Sequence, residues 1–369
     1  MKKQNLYLLI SIISIILIAG LFSAIFVLNN KSRGSIYLAG NTLLPIDLAG
    51  VLTSVGKADN PQEISEPQAT IPVIKLLFVG DVMLDRNVFK KTKLAGDYNH
   101  PFSLLVWPDE YDFKIANLEG PITDNRSIVT PQNLTFTFSP LFLNALKNSF
   151  DIVDLANNHT NNFGEKGLNS TRDYLDKNDI GYFGDPYNTF DKMVKVIEKD
   201  GIEIALVGFN QLANKGFDNL LEAVNTSVSQ ADFVIAFPHW GIEYSSINPG
   251  EVQKKQARQI IDAGADLIIG THPHVVQPVE EYKGKFIFYS LGNFIFDQYF
   301  SKETMSGLAI SLELVKINEI IKQNFRIYPI DINKESQAKI LLGEERLGVL
   351  QEFSKHWLVS TSTKDLLLK

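Results

Sequence analysis

Five short apolar runs, each of strand length and each ending in polar or glycine-rich residues, constrain the fold of this chain more than any other feature. They are 75–79 before Gly80-Asp81, 113–116 before Asn117-Leu118-Glu119, 151–155 before Ala156-Asn157-Asn158-His159, 233–237 before Pro238-His239, and 266–269 before Gly270-Thr271-His272-Pro273-His274. A continuous apolar run without alternation reads as a strand buried on both faces. Helical stretches at 165–178 and 249–263 lie between such runs. Strand–helix alternation predicts an α/β sheet with helices on its faces. Other segments read as antiparallel pairs. Residues 195–198 and 203–207 flank Lys199-Asp200-Gly201, a hairpin signal. A strand at 286–290 follows a turn at Lys283-Gly284, and 307–316 pairs with 320–329. The stretch from Glu335 reads as helix, fraying after Ser360.

The ends of the runs carry the chemistry. In open α/β sheets the ligand crevice lies outside the carboxyl ends of the strands. Here those ends supply Asp81, Glu119, Asn158, His159, His239, His272 and His274, which include four of the six histidines. Carboxylate, amide oxygen and imidazole together suit hard and borderline divalent metals. The chain has no cysteine, which excludes a thiolate zinc site, a disulfide framework, a cysteine nucleophile and a lipoprotein anchor. Taken singly, each residue has a plainer reading. Asp81 suits a turn or helix cap, Glu119 a solvated loop, Asn158 a left-handed turn, and His239 a structural histidine. Their joint occurrence favours a site. His272-Pro273-His274 is the sharpest element, because two imidazoles at i and i+2 around a rigid Pro are placed to serve two neighbouring ions. His100 and His356 fall outside the pattern and read as surface or structural.

Charge is unevenly distributed. Residues 1–33 contain Lys2, Lys3, Lys31 and Arg33 and no acid, so with a net charge of −7 the remainder carries −11. An acidic body argues against nucleic acid as a partner, since phosphate neutralisation needs a basic surface. It suits a site that holds cations. Residues 6–28 contain no charged side chain. At about 1.5 Å per residue they are long enough to cross a bilayer core. The run is longer than the apolar region of a cleavable signal peptide and lacks a small-residue cleavage pattern, so it reads as an uncleaved anchor. The expected organisation is a membrane anchor over 1–33 and a Pro-containing spacer over 34–72. A globular domain over 73–334 and a helical tail over 335–369 follow. The flanking charges slightly favour a single-pass protein with its body on the extracytoplasmic side.

Six blocks carry a family resemblance. Phe78–Arg86, Asn117–Pro121, Ala156–Thr160, His239–Tyr244, Gly270–Gln277 and Tyr289–Phe294 resemble, in order, the CapA-type poly-γ-glutamate capsule biosynthesis proteins. That family looks like a branch of the calcineurin-like metallophosphoesterases. The resemblance implies an α/β fold built as a metallophosphoesterase-like β-sandwich flanked by helices, with an N-terminal transmembrane helix. It implies two divalent ions (Mn, Fe or Zn), with Asp81, Glu119 and His274 toward the first metal and Asn158, His239 and His272 toward the second. Glu119 takes the bridging place, where the wider superfamily has Asp, and His159 matches the catalytic histidine. The wider superfamily opens with Asp-x-His, whereas this chain has Asp81-Val82-Met83, so one first-metal ligand is missing or replaced, with Asp85 and Asn293 as candidates.

Around that set, Arg86 is placed to pair an anionic substrate group, or to pair a nearby acid. Trp240 and Tyr244 line the cleft or simply pack. Glu243 is open to three roles: ligand, partner of His239, or solvent-facing side chain. The implied substrate is an anionic polymer such as poly-γ-glutamate, with membrane subunits of a capsule synthase as partners. The implied activity is metal-dependent hydrolysis or transfer in synthesis, export or trimming. A plain phosphoesterase and a non-catalytic anchoring subunit are the alternatives.

Overall fold

The computed structural model describes residues 71–124, 134–213 and 215–368. The expected anchor, most of the spacer and its apolar patch at 43–55 lie outside the described residues. Among the described residues no helix is long and apolar enough to cross a membrane.

The chain runs β1 (Val73–Val82), α1 (Arg86–Ala95), β2 (Phe113–Leu118), α2 (Leu143–Ser149), β3 (Ile152–Asp154), α3 (Gly164–Lys177) and β4 (Gly181–Phe183). It continues through β5 (Val194–Lys199), β6 (Ile202–Asn210), α4 (Phe217–Ser227), β7 (Phe233–His239), α5 (Glu251–Asp262) and β8 (Leu267–Ile269). Strands β9 (Val279–Tyr282), β10 (Lys285–Phe288), β11 (Asn293–Ile295), β12 (Ser306–Ile317), β13 (Ile320–Ile332) and β14 (Ala338–Ile340) precede α6 (Gly343–Phe353) and α7 (Thr361–Leu368).

The described strands form two sheets. One has the order β14-β13-β12-β1-β2-β3-β4, with β11 also pairing β1; the other has the order β5-β6-β7-β8-β10-β9. Strands β1 to β4 are mutually parallel, as are β6, β7, β8 and β10, and antiparallel strands extend both sheets. Period-2 side-chain alternation explains the layering. Ile74, Leu76 and Phe78 of β1 share a core with Ile202, Ile204 and Leu206 of β6 and Phe233, Ile235 and Phe237 of β7. The intervening Leu77 and Val79 pack on the opposite face with Val88 of α1, Leu146 of α2 and Leu175 of α3. Ala205, Val207, Val234 and Ala236 do the same with α4 and α5 through Leu220, Val224, Ala257 and Ile260. The fold is therefore a mixed α/β arrangement, sheet packed on sheet with helices outside. Both faces of the central strands are apolar because both are covered.

One expectation changes at the C-terminal end. The chain after Glu335 first forms a strand, β14, antiparallel to β13. Ala338 and Ile340 point inward around exposed Lys339, and the edge of β13 offers ladder partners, so strand periodicity wins there. Nor does the chain fray after Ser360: α7 buries Leu367 in the inter-sheet core beside Leu350 and Trp357.

A close backbone approach brings the site strands together. The Asp81 amide donates to the Gly292 carbonyl at 3.1 Å, and Asp81 pairs in register with Asn293. A Cβ on Gly80 would lie 1.8 Å from that carbonyl oxygen, so only glycine fits.

Candidate metal centre

The five run ends converge where the two sheets meet. Asp81 ends β1, Glu119 follows β2, Asn158 and His159 follow β3, His239 ends β7, and His272 and His274 follow β8. All but Asn158 are buried. Two groups of ligand atoms form. In the first, Asp81, Glu119 and His274 place one atom each within 4.8 Å of one another. His274 Nδ1 lies 3.2 Å from Asp81 Oδ2, and its Nε2 lies 3.6 Å from Glu119 Oε1. In the second, Asn158 Oδ1 lies 2.8 Å from His239 Nε2, which lies 3.2 Å from His272 Nδ1. His272 and His274 adopt φ of +94° and +59°. Non-glycine residues rarely occupy this region, at a cost on the order of 1–3 kcal/mol each, and such strain clusters at functional sites. The turn around Pro273 thus aims one imidazole at each group.

The electrostatics are those of a cation site. Asp81 Oδ2 and both Glu119 carboxylate oxygens are buried and accept no hydrogen bond. Burial pushes the Glu119 carboxyl well above the usual carboxylate range, and His274 opposes that only in part. Burial also disfavours a charged His274, but Glu119 and Asp81 outweigh it and hold its pKa up at about 9. Burial, reinforced by His274, pushes His272 down to about 4 and His239 well below its ordinary value. His239 and His272 are therefore neutral imidazoles, the form that ligates. Buried carboxylate oxygens without donors are costly unless a positive charge meets them. A divalent cation fits both the orphaned oxygens and the neutral imidazoles.

His159 stands at the cleft side of this centre. Its ring stacks on Phe136 at 4.1 Å between centroids, and its Nε2 lies 3.8 Å from Glu119 Oε1. Its Nδ1 lies 3.2 Å from Asn162 Oδ1, which also accepts the Phe136 amide. That oxygen can only accept, so His159 carries its proton on Nδ1 and turns the Nε2 lone pair toward the centre. Burial pushes its pKa down to about 4.

The cleft above, of about 580 Å³, is lined by Arg86, Lys90, Phe136, Glu243, Tyr244 and Phe300 among others. Arg86 lies between two aromatic rings, 5.1 Å from Phe136 and 5.6 Å from Phe296. Its Nε and Nη2 both donate to Asp297, and Nη1 has no hydrogen-bond acceptor among the described residues. Of the two readings of Arg86, the pairing with a nearby acid is the one the structure shows, and the side chain also lines the cleft. Tyr244 also lines it, half-exposed against Phe300. Trp240 does not. It is fully buried in the outer core of the second sheet, and its indole N–H donates to the Tyr289 carbonyl at 2.8 Å. A large apolar ring with one donor is best placed where that donor is satisfied and the ring is dry. Glu243 lies beside His272 and His274 rather than serving His239.

Sequence reading overlooked Asn117, Asn162 and Asp297. Asn117 Nδ2 donates to Asp81 Oδ1 at 2.8 Å, and Asn157 holds its carbonyl at 2.9 Å. The i,i+3 spacing of His159 and Asn162 was the available signal for the second; nothing local marks the third. Asp154 is a further buried acid. Its Oδ1 accepts the Ala156 amide while its Oδ2 has no partner, and burial pushes its pKa up to about 8. An unfolded aspartate titrates near 3.9. Between those values the folded chain holds a proton that the unfolded chain has released, so stability falls as pH rises through about 4 to 8 and is level above. Asp154→Asn keeps the Oδ1 acceptor and removes this loss. Its melting-temperature advantage over the wild type is expected to grow across that range in a pH series of thermal melts. A difference that is constant with pH would refute the assignment.

A model of the family described as bacterial capsule synthesis protein PGA_cap matches residues 75–298. The chain is 30% identical over 312 residues to the PGA biosynthesis protein CapA of Bacillus subtilis (strain 168), covering 77% of this chain and 78% of that protein. It is 31% identical over 261 residues to the capsule biosynthesis protein CapA of Bacillus anthracis, covering 64% of this chain and 62% of that one, under two thirds of the relative's length. Among solved structures, the calcineurin-like phosphoesterase YfkN from Bacillus subtilis aligns with a TM-score of 0.38 at 15% identity, over 78% of this chain and 98% of that one.

Proposed function

Since this chain belongs to the bacterial capsule synthesis protein family, we propose that it acts on an anionic cell-surface polymer, poly-γ-glutamate or a close chemical relative, as a metal-dependent hydrolase or transferase. The observation that carries the reading is the set of three buried carboxylate oxygens that accept no hydrogen bond, on Asp81 and Glu119, grouped with His274 and joined through the His272-Pro273-His274 turn to the neutral imidazoles of His239 and His272. Asp81, Glu119 and His274 would hold one ion, and Glu119, Asn158, His239 and His272 a second. Such ions would supply Lewis-acid polarisation and a water acidified toward neutral pH. We place the body outside the cell, anchored through residues 6–28.

The chain's own groups do the rest. Arg86, oriented by Asp297 and held between Phe136 and Phe296, presents Nη1 to a substrate carboxylate. Tyr244 and Phe300 wall the cleft against the polymer backbone. For an amide, water adds across the C–N bond, giving a carboxylic acid and an amine, which at neutral pH stand as carboxylate and ammonium. His159 Nε2 takes a proton from the attacking water and returns it to the leaving nitrogen, while Asn162 keeps the ring in the required tautomer.

The test is metal analysis of the purified full chain, followed by turnover of poly-γ-glutamate, γ-glutamyl amides and p-nitrophenyl phosphate with added Mn²⁺ or Zn²⁺. Bound metal with cleavage of the γ-linked substrates supports the reading. A chain that holds no divalent metal overturns it, and turnover of the phosphate ester alone moves it to the phosphoesterase alternative. In the same assay Arg86→Gln is expected to raise KM for the polymer by roughly 10–100-fold with a smaller change in kcat. Charge-assisted hydrogen bonds contribute about 1.5–3 kcal/mol.

A further inference from the structure

The metal centre has a gap that its own motif leaves open. Met83, at the place where the wider superfamily has histidine, is fully buried, and its Sδ accepts the Asp85 amide at 3.1 Å. The two candidate replacements are engaged elsewhere. Asp85 Oδ2 accepts the Thr137 amide at 2.9 Å. Asn293 Oδ1 lies 3.0 Å from His274 Nδ1, and its amide nitrogen reaches the His274 and Thr304 carbonyls and Gln298. Meanwhile Asp81 Oδ2 and both Glu119 oxygens accept no hydrogen bond and have only the His274 and His159 imidazoles, 3.2–3.8 Å away, beside them.

One carboxylate approaches from the other side. Glu243 places an oxygen within 4.8 Å of ligand atoms of both His272 and His274, and it lines the open cleft. Its position is built rather than incidental. The Tyr244 amide donates to the Pro273 carbonyl at 2.8 Å, and the Trp240 amide to the Thr271 carbonyl at 3.1 Å. These bonds clasp the 240–244 turn onto the His272-Pro273-His274 turn. Tyr244 takes φ +64°, so this second turn is strained like the first.

We propose that Glu243 is a further metal ligand, supplying from the cleft side the donor that Met83 does not. The inference rests on the metal reading above and deepens it. It carries a chemical consequence: a carboxylate in place of an imidazole makes the centre harder, favouring oxygen-loving ions such as Mn²⁺ relative to Zn²⁺. An exposed-side carboxylate is also the ligand most easily displaced, so a substrate carboxylate entering the cleft meets the ion where Glu243 holds it.

The experiment is equilibrium binding of Mn²⁺ and of Zn²⁺ to the full-length wild type, Glu243→Gln and Glu243→Asp, with metal stoichiometry measured directly and thermal melts as a folding control. Glu243→Gln is expected to weaken Mn²⁺ binding at one site by at least about tenfold, a loss already typical of groups that merely support a ligand. Zn²⁺ binding falls less, and Glu243→Asp recovers part of the Mn²⁺ loss. Wild-type Mn²⁺ affinity and stoichiometry in Glu243→Gln would overturn the inference while leaving the metal reading intact. A wild type that binds neither ion overturns both.

Discussion

Glu119→Gln is expected to raise the melting temperature of the metal-free protein and to abolish the further rise that a divalent cation gives the wild type. The two effects have one origin. Glu119 is fully buried, with neither carboxylate oxygen accepting a hydrogen bond, and burial holds its pKa well above the ordinary range. Without a cation it is a cost to the fold; the amide of Gln removes the charge at nearly constant shape. In the proposed centre the same carboxylate would be a ligand beside Asp81 and His274, and its loss removes that ligand. A ligand at a hundred times its Kd stabilises by about 2.7 kcal/mol. At about 2–4 °C per kcal/mol for a domain approaching this size, the wild-type shift is roughly 5–10 °C. The measurement is a pair of thermal melts, in chelator and in Mn²⁺, for each protein. If both proteins gain equally from Mn²⁺, Glu119 is no ligand.

His159→Ala is expected to lower kcat by roughly 10²–10⁴, the range attributed to positioned proton transfer, while metal content stays at the wild-type level. The side chain stands beside the centre rather than within its ligand set, 3.8 Å from Glu119, so its removal leaves the metal groups intact. Loss of the stack on Phe136 also opens the cleft wall, so melts must accompany the kinetics. Asn162→Leu separates the roles. It keeps the imidazole but removes the acceptor that fixes the Nδ1 proton, so kcat falls by a smaller factor with little change in KM. Activity within threefold of wild type in His159→Ala, with metal bound, would assign the centre a binding or anchoring role.

The five apolar runs were legible because burial on both faces leaves a mark along the chain itself. The strand-end rule then located the polar set, and Asp81, Glu119, Asn158, His159, His239, His272 and His274 do meet. What was not legible depended on neighbours far away in sequence. Arg86 was open to two readings because its partner Asp297 is 211 residues distant. Trp240 sits in a motif rich in site residues, yet its outward alternation from β7 buries it among α4, α5 and the second sheet. The start of the C-terminal segment was misread as helix because the free edge of β13, which draws 338–340 into a strand, cannot be seen from those residues alone.

By itself, then, the chain's covalent order determined which groups were available: no thiol, few imidazoles, and carboxylates placed where strands must stop. These follow from composition and from the period of hydrophobic burial, both local properties. Only the packing of one sheet against the other decided which of those groups stand close enough to share a cation, which imidazole carries charge and which acid accepts no hydrogen bond. Those outcomes turn on distances of about 3 Å between residues from different sheets, such as His274 and Asp81. At that range, in a dry interior, electrostatics depends on arrangement rather than on residue type.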